Sequence, residues 1–353
     1  EKPSPLKMVS TMGLSMLPRM LKADVHRKMW RSLSQYFKDD RLRQLFGRYA
    51  TYAGNNPFMT PGTFNLIAAV EQNGVWRVRG GILALANALQ DLIIKHGGEV
   101  RTGVDVSNIY SDHGRITGVW IKGEGLLKSS QVIFNGDVQA LSSGFLGESV
   151  QTAVKAYPKR ERSLSALTLC AMADMRQAPL IHHNVWFSDN YREEFEHIES
   201  GHLPSDPTVY ICAQDRGDQI KRDPQPPLDI HNPIDEAPMS RHSVSDSVSD
   251  SVSDSVSPHY ERLFALVNAP ARSDYSPLKP EEILTCQVTV NRILKQLEVT
   301  PSPIIQQWTT PTKWAERFPA SGGAIYGRAT RRWDSNLKRM GAKTKLKGLY
   351  LTG

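Results

Sequence analysis

A mixed α/β fold is predicted by three features of the sequence. Ile82, Leu85, Ala86, Leu89 and Ile93 recur at the three-to-four spacing of a helix with one apolar face. Shorter β-branched stretches come after it, around Val104, Val106 and Ile109, then 116–121 and 131–135. Beyond them come alternating apolar stretches at 165–187, 207–213 and 263–270, the signature of strands with one buried face. At 353 residues the chain can bury a large core, and length alone suggests about two lobes.

Residues 6–22 are rich in Met and Leu, with Lys7, Arg19 and Lys22 as the charges. Leu14, Leu17 and Leu21 have helical spacing, and Pro18 argues against one straight helix. Both a core helix and a helix lying in a membrane interface remain open for this stretch. Residues 25–46 read as one helix with Trp30, Leu33, Tyr36 and Phe37 on its apolar side. Asn55-Asn56-Pro57 is a turn, because proline fixes its own φ and moves the preceding residue out of the helical region. A helical apolar run spans 64–70. Gly80-Gly81 then lets the backbone approach another group closely, and opens the helix that runs to His96, with Gly97 as its C-terminal stop. The face formed by Ile82, Leu85, Ala86, Leu89 and Ile93 is expected to be buried.

Val100, Val104, Val106 and Ile109 suggest strands, followed by a hairpin and a further strand ending at Asn135. Gly123-Glu124-Gly125 lies in that hairpin and lacks the third glycine of a phosphate loop. The histidines at 182, 183, 197 and 202 raise the question of a metal. Adjacent residues of a strand point to opposite faces, so His182 and His183 are not expected to share an ion, and no metal site is expected. Residues 217–258 differ in character: proline is dense from 224 to 238, and Ser-Val-Ser-Asp repeats fill 243–257. Such a segment buries too little apolar surface to offset its ordering entropy and reads as a disordered insertion. A helix at 284–297 and a strand at 304–310 precede a second Gly-Gly pair, Gly322-Gly323.

Composition narrows the function. Lys and Arg number 43 against 36 Asp and Glu, a net charge of +7. The excess gathers late, at Arg328, Arg331, Arg332, Lys338, Arg339, Lys343, Lys345 and Lys347. A solvated face or an anionic membrane surface accounts for it, and no nucleic-acid motif accompanies the charge. No run approaches the ~18 apolar residues of a membrane-spanning helix. The three cysteines are widely spaced, which suits a reducing compartment. The nucleophile-elbow, zinc-protease and Walker motifs are absent from the sequence. The chain opens on Glu1 and stops just after an apolar strand, so both ends are expected to be truncated.

One series of motifs is more specific. Leu42-Arg43-Gln44, Phe46, Asn56-Pro57-Phe58, Trp76, Arg79-Gly80-Gly81, Leu85 and Ala88-Leu89 resemble, in order and kind, a pattern of the bacterial carotenoid desaturases, the FAD-dependent phytoene desaturase family. Arg79 stands where that family usually has proline. The resemblance extends through Val132-Ile133-Phe134-Asn135-Gly136-Asp137 and His182-His183-Asn184-Val185-Trp186-Phe187 to Tyr191-Arg192-Glu193-Glu194. The segment Arg317-Phe318-Pro319-Ala320-Ser321-Gly322-Gly323-Ala324-Ile325-Tyr326-Gly327 looks most like the branch that desaturates 1-hydroxycarotenoids at C-3,4. That branch usually continues His-Gly-Trp, where this chain has Arg331-Arg332-Trp333.

The resemblance implies a flavin amine-oxidase-like fold, a Rossmann-type FAD-binding part with a substrate domain. Residues 1–79 would be the membrane-facing helical part, 80–150 and 326–353 FAD-binding parts, and 151–216 with 259–325 the substrate domain, interrupted by the insertion at 217–258. It implies FAD contacts at Gly80, Gly81, Val104, Asn135, Asp137, Thr352 and Gly353. Phe58, Trp76, Gly322, Gly323 and Tyr326 would line the substrate pocket, with Asp39 and Arg43 as candidate catalytic groups. The implied reaction removes a hydride and a proton from adjacent allylic carbons of an acyclic C40 carotenoid, at the C-3,4 bond of a 1-hydroxy or methoxy carotenoid, by an enzyme bound peripherally to the inner face of a bacterial membrane. The family's Gly-x-Gly-x-x-Gly does not occur in the chain, so the expectation is that a longer parent binds FAD while this fragment itself binds it poorly or not at all and is inactive. A carotenoid isomerase on the same scaffold, and an inactive membrane- or partner-binding fragment, are the alternatives.

Overall fold

The computed structural model describes residues 24, 26–216, 260–332, 334–335 and 339–352. The helix at 6–22, the insertion at 217–258 and Gly353 therefore lie outside the described residues.

The helical part begins with α1 (Met29–Leu33) and α2 (Asp40–Gly47), followed by 3-10 turns at Arg48–Ala53 and Gly62–Asn65 and by α3 (Leu66–Gln72). The single helix expected over 25–46 is broken. Asp39 is extended, with φ −72° and ψ 125°, and its side chain accepts a hydrogen bond from the Arg41 amide, so it restarts the chain as an N-cap. Aromatic packing holds the break: Phe37 stacks on Phe46 at 4.7 Å, and Trp30 meets Phe58 at 4.6 Å.

Helix α4 (Gly81–Lys95) starts where the sequence places it, after Gly80 in the left-handed region. Its expected burial is not met. No residue of α4 is buried, and Ile82 is 75% exposed. The strand expected at Val100 and Val104 is also absent, since β1 (Val106–Asp112) begins later. The two departures have one cause: among the described residues no strand pairs with 99–105 and no surface covers α4. Ile82→Lys and Leu89→Lys are therefore expected to lower binding of a hydrophobic dye while moving stability by no more than about 0.5 kcal/mol. A stability loss of a few kcal/mol in chemical denaturation would show that α4 is packed in solution.

After β1 come β2 (Arg115–Ile121), β3 (Gly125–Lys128), β4 (Val132–Phe134), α5 (Val138–Ser142) and α6 (Glu148–Gln151). The next run is β5 (Ser165–Asp174), β6 (His183–Trp186), α7 (Tyr191–Ser200), β7 (Val209–Ala213) and β8 (Tyr260–Ala269). The chain closes with α8 (Pro280–Gln296), β9 (Thr300–Thr309), α9 (Pro311–Arg317) and β10 (Leu349–Leu351). Strands β1, β2 and β3 form an antiparallel sheet, and β4 pairs in parallel with β10. Ile109, Ile116, Leu141, Val150 and Leu349 form the core that joins them.

A five-stranded antiparallel sheet, ordered β6-β7-β8-β5-β9, makes the larger unit. Its alternation puts Leu167, Leu169, Ile211, Leu263 and Val267 on one face, against Val290, Ile293 and Leu294 of α8. Each such side chain contributes about 1.5–3 kcal/mol by leaving water. The opposite face carries Tyr210, Phe264, Leu266 and Met172, all half-buried. No helix among the described residues is long and apolar enough to cross a membrane.

Candidate functional site

Strands β4 and β10 run side by side in register, Leu349 opposite Val132 and Leu351 opposite Phe134, and so end together. Their C-terminal loops therefore meet: Asn135-Gly136-Asp137 after β4 stands beside Thr352 after β10, whose amide donates to the Phe134 carbonyl at 3.0 Å. Ligands of open α/β sheets bind outside the carboxyl ends of the strands. Here that region opens into a cleft of about 1000 Å³ whose walls include Asn135, Asp137, Tyr157, Tyr326, Arg328 and Thr352.

The polar wall is already ordered. Asp137 caps α5, its Oδ1 accepting from the Gln139 amide at 2.8 Å, and the Tyr157 hydroxyl lies 3.3 Å from its Oδ2. Burial, then the Asp137 charge, pushes the Tyr157 phenol well above its ordinary pKa, so it remains a donor. Arg328 lies over the Tyr157 ring at 5.8 Å and pairs with Glu161 through Nε at 2.8 Å. The other wall is more apolar, built from Phe318, Ala324, Ile325 and Tyr326. The Tyr326 amide donates to Ser163 Oγ at 3.0 Å, and its ring packs on Gly54, where an added Cβ would come within 2.5 Å. A polar end beside an apolar wall suits a ligand with both characters, such as a dinucleotide meeting a hydrocarbon.

Of the candidate residues among the described ones, the structure gathers Asn135, Asp137, Thr352 and Tyr326 in this cleft and leaves the others outside it. Gly80 and Gly81 start the exposed α4, and Val104 lies in the loop before β1. Phe58 sits in the aromatic cluster with Trp30, Tyr191 and Phe195, and Trp76 is 85% exposed. Gly322 and Gly323 are buried under the Arg162 guanidinium and the Pro311 carbonyl. Asp39 is a helix cap whose carboxyl is held down to about 2 by its hydrogen bonds from Arg41. Arg43 donates to the Lys38 carbonyl at 3.0 Å and pairs with Asp40.

Sequence reasoning missed Tyr157, Phe318 and the placement of Arg328. Tyr157 carries no motif, and Arg328 registered only as part of a basic excess. The expected opposition of His182 and His183 is not found. His182 and His183 do not point apart: their rings meet edge to face at 4.3 Å, because His182 precedes β6 and escapes its alternation.

Known proteins align with the chain along its length. No family model matches it. It is 36% identical over 356 residues to a hydroxyneurosporene desaturase of Rubrivivax gelatinosus, covering 100% of this chain and 61% of that protein. It is 38% identical over 326 residues to a hydroxyneurosporene desaturase of Cereibacter sphaeroides, covering 92% of this chain and 58% of that one. The chain thus spans about three fifths of the length of the relatives it matches. Among solved structures, an oxidoreductase from Methanosarcina mazei superposes with a TM-score of 0.52 at 15% identity, covering 99% of this chain and 70% of that chain. The mixed α/β architecture is borne out by that likeness.

Proposed function

Since the chain belongs to the carotenoid desaturase family, we propose that it serves as an FAD-dependent oxidoreductase that introduces a double bond into an acyclic C40 carotenoid, at C-3,4 of a 1-hydroxy or methoxy substrate. The observation that carries this reading is the 36% identity to a hydroxyneurosporene desaturase over the whole chain. The cleft supports it. Asn135, Asp137 and Thr352 stand where the polar part of FAD would be held, with Tyr157 donating and Asp137 accepting. Bound FAD would supply the acceptor for the substrate hydride.

The remaining work is positioning. Phe318, Ile325 and Tyr326 offer the polyene an apolar wall, and the half-buried Tyr210, Phe264, Leu266 and Met172 extend apolar surface along the sheet face opposite α8. Together they exclude water from the reacting carbons and hold the allylic CH–CH bond in one orientation. In this reading residues 80–150 and 326–353 form the flavin-binding part, and 151–216 with 259–325 the substrate domain. The exposed Lys343, Lys345 and Lys347 would hold the protein at an anionic membrane surface, from which so apolar a substrate is drawn.

The test is product mass. Incubated with FAD, an electron acceptor and a hydroxylated acyclic carotenoid, the protein should yield a product lighter by two hydrogens. An isomer of unchanged mass would replace this reading with an isomerase, and binding of flavin without any turnover of such carotenoids would defeat it. Asp137→Ala is expected to weaken flavin binding at least about tenfold, or about 1.4 kcal/mol. Equal flavin affinity in the variant would remove Asp137 from the site.

A further inference from the structure

A second cluster of reactive side chains lies at the sheet edge, away from the cleft. Strand β6 is the edge strand of the five-stranded sheet, and His183 is the register partner of Cys212 on β7, so both side chains stand on one face. His182 joins them from just before the strand. One ligand atom from each of the three residues can be chosen so that all lie within 4.8 Å of one another. Cys212 is buried, His182 half-buried and His183 exposed, which gives the cluster a fixed floor and an open entrance.

The His182 tautomer is set. His182 Nδ1 lies 3.2 Å from the Arg216 carbonyl. A carbonyl only accepts, so Nδ1 carries the proton and Nε2 presents its lone pair. That Nε2 is 3.7 Å from Cys212 Sγ. A tetrahedral ion with bonds of about 2.3 Å to sulfur and about 2.1 Å to nitrogen sets those two atoms about 3.6 Å apart. On His183, Nδ1 lies 2.7 Å from the Tyr210 hydroxyl, a group that both donates and accepts. His182 thus has one nitrogen oriented by the protein and one left over, the arrangement that orients metal-bound imidazoles.

We infer that His182, His183 and Cys212 form a site for one soft or borderline divalent cation of the Zn²⁺ class, bound by two imidazoles and a thiolate with the fourth position open to solvent. Two imidazoles with a thiolate match that class, and the lack of a carboxylate among the three disfavours Mg²⁺ and Ca²⁺. The ion clips the four-residue edge strand β6 to β7. Binding replaces the Cys212 thiol proton, which leaves to solvent, and involves no redox step.

Arg77 is the fixed charge beside the cluster. The Arg77 guanidinium is held by the Arg216 carbonyl at 2.8 Å. Its repulsion of a cation is met by the charge of the thiolate.

Cobalt titration of the chelator-treated protein tests the site independently of any catalysis. The expected result is one Co²⁺ per chain, with a thiolate-to-cobalt charge-transfer absorption and the strong visible bands of a tetrahedral site, both displaced by Zn²⁺. Cys212→Ser should abolish the charge-transfer absorption, while Cys170→Ser and Cys286→Ser should keep it. His183→Ala, a change at an exposed position, should weaken cobalt binding at least about tenfold, and it tests the site if Cys212→Ser fails to fold. No charge-transfer absorption in the folded wild-type protein, or one that survives in Cys212→Ser or is undiminished in His183→Ala, overturns the inference.

Discussion

Replacing Gly322 by alanine is expected to destabilise the protein by about 3–5 kcal/mol, the cost of breaking a buried ion pair. The new Cβ would stand 2.1 Å from Arg162 Nη1 and 2.8 Å from Asp274 Oδ1, at a φ of +65° that side-chain-bearing residues rarely adopt. The guanidinium cannot swing aside cheaply. Its side chain is 3% exposed and makes a two-pronged pair with Asp274, at 2.7 and 2.9 Å, and a bond to the Ala320 carbonyl at 2.8 Å. Any shift strands a charge out of water. Gly81→Ala is the control, because Gly81 has a φ of +78° but nothing within 4 Å of an added Cβ. It should cost about 1–2 kcal/mol, the backbone term alone. Denaturant midpoints of the two variants decide the matter; equal losses would mean that Arg162 relaxes freely around the new methyl group.

Glu194→Gln is expected to stabilise the protein above neutrality and to flatten its pH dependence. The Glu194 carboxyl is 1% exposed, with the Thr208 hydroxyl on Oε2 and no partner for Oε1 among the described residues. Burial raises its pKa from 4.5 to about 7, with the Thr208 hydrogen bond and Arg48 opposing. The sign is set by linkage. The folded state holds the proton more tightly than the unfolded chain, so this group's contribution is complete below about pH 4.5 and is lost as pH rises through about 7. The full loss is about 3 kcal/mol. Glutamine keeps the shape and the acceptor for Thr208 and carries no charge at any pH. Unfolding measured on both sides of neutrality should show the variant gaining on the wild type as pH rises. Parallel stability curves for the two proteins would mean that Glu194 is not titrating in the folded state.

Local features were legible in the sequence because they depend on near neighbours. The helix start at Gly80-Gly81, the hairpin around 123–125 and the alternation of β5 and β8 all reflect spacing and backbone preference. Asn135, Asp137, Thr352 and Tyr326 were found through family resemblance, and the structure brings those four into one cleft.

The sequence by itself determined the fold class, most of the longer helices and strands, and the kinship to carotenoid desaturases, all of which rest on local periodicity or on motifs read in line. Only the tertiary structure decided which distant groups meet. Arg162 and Asp274 are 112 residues apart, and Cys212 reaches His182 across a gap of 30. Neither pairing has a local signal, because each is set by strand register and loop closure between segments with no common repeat. Exposure of α4 is decided the same way: an apolar helical face can be read from its period, but what covers it depends on neighbours that the helix does not encode.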